Sequence, residues 1–367
     1  MVQHFTAVDL FAGAGGLSLG FRNEGFDVRF ALDNDLWAAE TYARNHPETP
    51  IVCDSIQSVP PEEVLDRIGL QRGALTVLVG GPPCQDFSIN NHRRGQDDRR
   101  AGLVQHYLNM VAGLRPRFVL MENVTGLLSA NGGHWLEVVY ESLSGLGYQV
   151  DHRILSSEDY GVPQRRRRVF FIGTRDRDAF SWPTPTHRPE GRQRFVTVDA
   201  AIGDLPAVEV GGGAEEMDYD ESARSPYQRD MRKWSRGVFN HVAPALGARN
   251  RERIRFVPPG GSWRDIPFEL LPPGMQQARR GDHTKRYGRL HPEGLAATIL
   301  TKCDPHWGAY IHPDQDRTLT VRETARLQSF PDRFLFCGPR LAQARQVGNA
   351  VPPLVATRLA SSIAESV

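Results

Sequence analysis

One of the four cysteines stands apart from the others. Cys84 closes the run Gly80-Gly81-Pro82-Pro83-Cys84-Gln85-Asp86-Phe87-Ser88, directly after the apolar stretch 75–79. Two glycines and two prolines stiffen that loop, and a thiol held there becomes a nucleophile if nearby donors stabilise its thiolate. A buried, inert cysteine is the ordinary alternative and fits poorly with so polar a segment. Met121-Glu122-Asn123-Val124 places a carboxyl group at the end of another apolar stretch, where it could meet a ligand or merely cap a helix. In Gln164-Arg165-Arg166-Arg167-Arg168-Val169-Phe170 four arginines run into an apolar stretch. On a strand, Arg166 and Arg168 would share one face, and Arg165 and Arg167 the other. Finally, Asp9-Leu10-Phe11-Ala12-Gly13-Ala14-Gly15-Gly16 has glycines that let a backbone approach a ligand and leave helix amides facing it. Ser18 stands where a dinucleotide fingerprint has its third glycine, so the match is partial. Asp33 follows Gly13 by twenty residues at the end of the next apolar stretch, suited to a ribose hydroxyl, and Asp54 ends the one after. The segment reads as a loop for an adenosine-containing cofactor or as a tight turn.

These residues need elements to hold them. Short apolar runs at 5–11, 28–32, 75–79, 118–121 and 169–172 read as strands. Between them, 36–45, 103–114 and 134–146 carry apolar residues at three- and four-residue spacing, as helices do. Such alternation predicts a doubly wound α/β sheet, which places ligands at the carboxyl ends of its strands. From about residue 181 the texture changes: Pro- and Gly-rich punctuation and weak periodicity predict a loop-rich second lobe ending near His291. Helical patterning returns at 321–329 and 352–366.

With 367 residues, 40% apolar and 24% charged, the chain has the composition of a globular protein with room for a full core. No apolar run reaches the ~20 residues of a membrane span. The start, Met1-Val2-Gln3-His4-Phe5, lacks a signal-peptide pattern, so a cytoplasmic location is expected, nucleoid-associated in a bacterium. The cysteines are far apart, without a C-x-x-C pair, and read as free thiols with no metal site. A net charge of +1 conceals segregation: residues 204–221 hold seven acids and no Lys or Arg, whereas 226–290 hold fourteen Lys or Arg against five acids. So basic a section suggests a polyanion contact, with a solvated surface as the plain alternative.

Taken in order, these blocks resemble the cytosine-C5 DNA methyltransferase family of the bacterial restriction-modification type. The resemblance covers the loop 9–21, the Pro-Cys loop 80–88, Glu122-Asn123-Val124, 164–173, 317–332 (RTLTVRETARLQSFPD) and 346–351 (QVGNAV). The Pro-Pro-Cys-Gln and Glu-Asn-Val blocks are the specific part. It implies a doubly wound, Rossmann-like S-adenosylmethionine-dependent methyltransferase sheet with a smaller target-recognition domain. The catalytic domain would comprise 1–180 and 292–367, the last helix returning to the N-terminal region, with target recognition in 181–291.

The resemblance also implies roles. Cys84 would attack C6 of a cytosine rotated out of the duplex, Glu122 would contact N3 and the amine, Arg168 the O2 edge, and Arg166 would lie near the nucleophile or a phosphate. Asn123 would fix the loop. Phe11, Gly13, Gly15, Gly16, Asp33, Asn34, Asp54, Leu103 and Asn349 would bind S-adenosylmethionine and its product S-adenosylhomocysteine, with no metal. Residues 85–100 are a candidate lid, and Ser88, Arg93, Arg94, Arg264, Lys285, Arg286 and Arg289 are candidate DNA contacts. The expected partner of a monomer is double-stranded DNA, with a cognate restriction endonuclease as a second partner. A tRNA cytosine-C5 methyltransferase on the same scaffold and a non-catalytic DNA-binding regulator are the alternatives. The large basic lobe speaks for duplex DNA, and the presence of Cys84, Glu122, Arg166, Arg168 and Asn349 speaks for catalysis.

Overall fold

A computed structural model describes residues 5–83, 101–176, 179–190, 193–279 and 281–367. The chain divides into two compact units: 1–156, 167–185 and 351–367 form the first, and 157–166 with 186–350 the second.

The first unit is built on a seven-stranded sheet of order β3-β2-β1-β4-β5-β7-β6. Its strands are β1 (Thr6–Leu10), β2 (Asp27–Asp33), β3 (Ile51–Cys53), β4 (Val77–Gly80), β5 (Phe118–Val124), β6 (Gln149–Ser156) and β7 (Arg167–Thr174). Strands β1 to β5 pair in parallel, while β7 runs antiparallel between β5 and β6. Helices α1 (Gly16–Asn23), α2 (Leu36–Asn45), α3 (Pro61–Ile68), α4 (Ala101–Leu114) and α5 (His134–Gly145) make the connections. The central strands are apolar because both faces are covered: Val8, Leu10, Leu78, Val119 and Val169 are fully buried in one core with Val111 and Leu143 of the helices. Tyr107 of α4 donates its hydroxyl to the Leu78 and Leu120 carbonyls, tying that helix to β4 and β5.

Strand β6 escaped the sequence reading. It is an edge strand, mostly exposed, so Gln149, Asp151 and Arg153 interrupt the apolar pattern that marks a central strand. The last helix, α12 (Pro353–Ala364), returns to α1 within this unit. An added Cβ at Gly20 would collide with Ala356 and lie 2.6 Å from the Thr357 nitrogen, so the glycine is what lets the two helices approach. The compact division sets this return at 351 rather than 292, because 292–350 pack with the second unit.

The second unit contains α6 (Val198–Ile202), a hairpin of β8 (Gly213–Met217) and β9 (Val238–Val242), α7 (Pro226–Arg232), α8 (Ala248–Ile254), α9 (Pro273–Gln276), α10 (Val321–Leu327) and α11 (Arg340–Asn349). A small core of Ile254, Val257, Trp263, Ile266, Leu270, Met275, Tyr287 and Ile311 holds its loop-rich part together. Helix α10 is unusual in burying all seven of its residues, charged ones included. The Thr320 hydroxyl accepts from the Glu323 amide, and the Glu323 carboxylate accepts from the Thr320 amide and from both terminal nitrogens of Arg317, at 2.6 and 2.9 Å. Arg326 is bound by both oxygens of Asp332, at 2.5 and 2.6 Å, and by Asp204 at 3.1 Å. The ion pairs draw the Glu323 and Asp332 carboxyls below the usual carboxylate range despite complete burial.

Candidate active site

In a parallel sheet whose order reverses beside β1, the crevice opens at the carboxyl ends of the strands. Most of the first unit's described candidate site residues sit at that end. The strand β1 runs into the glycine loop, β2 ends on Asp33, β4 enters the Gly81-Pro82-Pro83 loop, and β5 ends on Glu122-Asn123-Val124. Leu103 lies on α4, partly buried against the core, as Phe11 is after β1.

The glycine loop is held open by unusual backbone. Phe11, Gly13 and Gly15 all have positive φ, at 58°, 55° and 92°. A Cβ at Gly15 would lie 2.8 Å from His46 Cδ2 and 2.9 Å from Tyr42 Cδ2, so conformation and space both require glycine there. The Gly13 amide donates to Asp33 Oδ2 at 2.8 Å, and the Asp35 amide donates to Oδ1 at the same distance. Asp33 is thereby fixed across the loop, and burial raises its carboxyl above the usual range. Asp35 caps α2, accepting from the Trp37 and Ala38 amides. Asn34 and Asp54 are exposed, and Asp54 accepts from the Ser55 amide.

Beneath the loop lies a buried polar group to which the sequence reading gave no role. Asp9 is wholly buried; Ser18 donates to its Oδ2 at 2.6 Å and is itself 2.8 Å from the Tyr42 hydroxyl, while Oδ1 has no hydrogen-bond partner among the described residues. Desolvation pushes its carboxyl up to about 7. The signal available was a carboxylate inside an otherwise apolar strand. Between about pH 4, where an unfolded aspartate titrates, and pH 7, the folded chain holds the extra proton, so this group makes stability fall as pH rises. His46, pushed down to about 4 by burial, acts oppositely from about pH 4 to 6.5, because the unfolded chain then binds the extra proton. Asp9→Asn should therefore steepen the rise of stability with pH over that window. Unfolding midpoints in denaturant at several pH values check this, and a profile parallel to the wild type would contradict it.

At the end of β5 the side chains meet by strand register. Val124 stands opposite Arg168 and Glu122 opposite Phe170, so Glu122 and Arg168 are diagonal neighbours on one face. Arg168 Nε lies 3.0 Å from Glu122 Oε1, with both side chains largely buried. A Cβ at Gly81 would lie 3.1 Å from Glu122 Oε2. Asn123 donates through Nδ2 to the Pro82 carbonyl at 3.1 Å and accepts from the Val124 amide at 2.9 Å. The carboxylate, the guanidinium and the first part of the Pro-Cys loop therefore form one packed corner. Cys84, Ser88, Arg93, Arg94 and the whole candidate lid 85–100 lie outside the described residues.

The four arginines separate as the alternation predicts: Arg165 and Arg167 are exposed, Arg166 is buried and Arg168 half-buried, although the strand itself starts only at Arg167. Arg166, 1% exposed, donates to the carbonyls of Ile299 at 3.2 Å, Gly348 at 3.0 Å and Ala350 at 3.1 Å. Gln328 donates to the Val347 carbonyl at 2.7 Å. The bonds to Gly348 and Ala350 serve carbonyls at the end of α11. Arg166 thus holds the backbone around Asn349, the exposed last residue of α11, while the Cys84 it was expected to neighbour lies outside the described residues.

One expected DNA contact is corrected outright. Arg289 is 7% exposed, and its donors meet the carbonyls of Val257, Ile254, His312 and Gln315 and the carboxylate of Asp316. Five N–H groups meet five acceptors, which leaves none for a phosphate or base. Lys285 is exposed, Arg286 half-exposed, and Arg264 half-buried with its guanidinium 5.7 Å from the Trp263 ring. Sequence reading missed the exposed Trp307 and Lys302, which lie outside the basic section.

The solved structure of a prophage-encoded E. coli protein assigned as a DNA modification methyltransferase aligns over 99% of each chain, with 25% identity and a TM-score of 0.78. The sheet and the corner at the ends of β4 and β5 thus define a doubly wound α/β methyltransferase. The C-5 cytosine-specific DNA methylase profile matches residues 5–365, and the chain belongs to that family. Among its relatives are the Type II methyltransferase M.DdeI of Desulfomicrobium norvegicum, 36% identical over 97% of this chain and 88% of its own, and M.AgeI of Thalassovita gelatinovora, 34% identical over 97% and 98%. No helix among the described residues is long and apolar enough to cross a membrane.

Proposed function

We infer that this protein is a DNA (cytosine-5-)-methyltransferase that carries the methyl group of S-adenosylmethionine to C5 of a cytosine turned out of a specific duplex site. Family membership and the names of the Type II relatives support the substrate and a cognate restriction endonuclease as partner. The observation that carries the chemistry is the corner of Glu122, Asn123 and Arg168 packed on the loop that continues into Cys84.

The cofactor, when bound, supplies an electrophilic methyl carbon. The loop with positive φ at Phe11, Gly13 and Gly15 and the Asp33 carboxylate held across it suit its adenosine, whose ribose hydroxyls are donors. Asn34, Asp54 and Leu103 would complete the site in the first unit. Asn349 would be contributed by the end of α11, whose backbone Arg166 fixes.

Cytosine C5 is too weak a nucleophile to take a methyl group unaided, so a covalent step is required. The Cys84 thiolate adds to C6, forming an S–C6 bond and placing electron density on C5, while N3 takes a proton. Glu122 delivers that proton and accepts a hydrogen bond from the exocyclic amine. C5 would then take the methyl group, the spent donor leaving as S-adenosylhomocysteine. A water would accept the C5 proton as the S–C6 bond breaks to return the thiolate, and N3 would give its proton back to Glu122. Arg168 holds Glu122 at its Oε1 and would turn toward the base's O2 edge when cytosine enters. Unstacking the base costs a few kcal/mol, which contacts from the basic second unit help to offset.

Glu122→Gln keeps the shape but cannot hand over a proton. Methyl transfer should fall by about 10²–10⁴-fold with duplex binding retained. Single-turnover transfer of labelled methyl groups checks this, and a near-native rate would remove Glu122 from the proton step.

A further inference from the structure

Two loops of the second unit meet at an exposed tryptophan. Trp307 is 56% exposed, with Lys302 Nζ 5.4 Å and the Arg286 guanidinium carbon 5.8 Å from its ring centroid. Neither cation has an ion-pair partner among the described residues, whereas Arg232, Lys233 and Arg249 of the same unit are each paired with a carboxylate. The loops are fastened together beneath them. The Tyr287 amide donates to the Pro305 carbonyl at 2.6 Å, and the Tyr287 hydroxyl lies 2.6 Å from His306 Nε2. His306 Nδ1 lies 2.9 Å from Asp304 Oδ1, so the carboxylate two residues after Lys302 is engaged by the scaffold. Asn250 Oδ1 accepts from the Tyr287 hydroxyl at 3.1 Å and from Arg253 at 2.8 Å. A mostly exposed indole therefore stands on a hydrogen-bonded base, facing two cations that pair with no acid among the described residues.

We propose that Arg286, Lys302 and Trp307 form a phosphate clamp for duplex DNA, the ring holding the two cations toward the same stretch of backbone. The inference rests on the DNA methyltransferase reading and adds residues and a role to it. Attraction of a cation to an aromatic face restricts where its head group points without neutralising it. Each cation seated on a phosphate releases condensed counterions, so it adds about 0.9 to the slope of log affinity against log salt. An exposed lysine and a half-exposed arginine beside one ring, without acidic partners among the described residues, match that polyanion in charge.

The test measures binding of full-length protein to a duplex that the wild type methylates, across a salt series. Lys302→Gln and Arg286→Gln should each lower the salt slope by about one, and the double variant by about two. Trp307→Leu should weaken binding about tenfold with both cations present, and Trp307→Phe should recover most of that loss. Slopes equal to wild type in both single variants, or native affinity in Trp307→Leu, would overturn the clamp while leaving the methyltransferase reading intact. A wild type that methylates no duplex would overturn the reading and the clamp with it. Lys302 is exposed, so its variant carries the test if half-exposed Arg286 proves necessary for folding.

Discussion

Cys84→Ala is expected to lower methyl transfer by on the order of 10⁴-fold or more while leaving duplex affinity within a few-fold of wild type. The size follows from the chemistry. Without the S–C6 bond, C5 of cytosine stays part of an aromatic ring, and an electrophile beside it has little to react with. Glu122 and Arg168 would still be in place to receive the base, so binding would survive where chemistry does not. Single-turnover rates measured beside equilibrium binding separate the two. A variant that methylates at near-native rate would show that another group, or none, adds to C6.

Asp332→Ala carries the largest expected effect on stability. Asp332 and Arg326 are fully buried, and the carboxylate takes both donors of one edge of the guanidinium. Removal of Asp332 strips Arg326 of its bidentate partner and leaves Tyr219 without the oxygen its hydroxyl donates to at 2.6 Å. A buried charge that loses its partner typically costs about 3–5 kcal/mol. Asp204, 3.1 Å from Arg326, covers part of that loss, so the lower end is expected. Denaturant unfolding followed by the second unit's tryptophan signal checks it, and a midpoint close to wild type would mean the pair is dispensable. The buried arginines of α10 thus belong to the architecture.

The central sheet was legible because its strands are covered on both faces and read as short apolar runs, while α2, α4 and α5 kept a helical period. The edge strand β6 was not, since Asp151 and Arg153 sit on an exposed border where nothing selects apolar residues. Helix α11 was missed for a related reason: Arg340, Gln343, Arg345 and Gln346 give it little amphipathic pattern. The boundary at 351 is set by packing between segments far apart in the chain, which composition does not carry. At the candidate site, residue order placed Glu122 and Asp33 at the ends of apolar stretches and Arg168 at the start of another, and the structure has them at the ends of β5 and β2 and the start of β7. Charge alone could not separate Arg289 from Arg286. One sits among five acceptors and the other faces an exposed ring, and only tertiary structure distinguishes them.

Covalent trapping tests the central claim most directly. A duplex pool in which every cytosine is 5-fluorocytosine, incubated with protein and S-adenosylmethionine, should yield a stable protein–DNA adduct, because fluorine cannot leave C5 as a proton does. Peptide mapping should place the DNA on Cys84, and Cys84→Ala should give none. An adduct on another residue, or wild-type methylation of ordinary DNA with no adduct on the fluorinated pool, would contradict addition of Cys84 to the base.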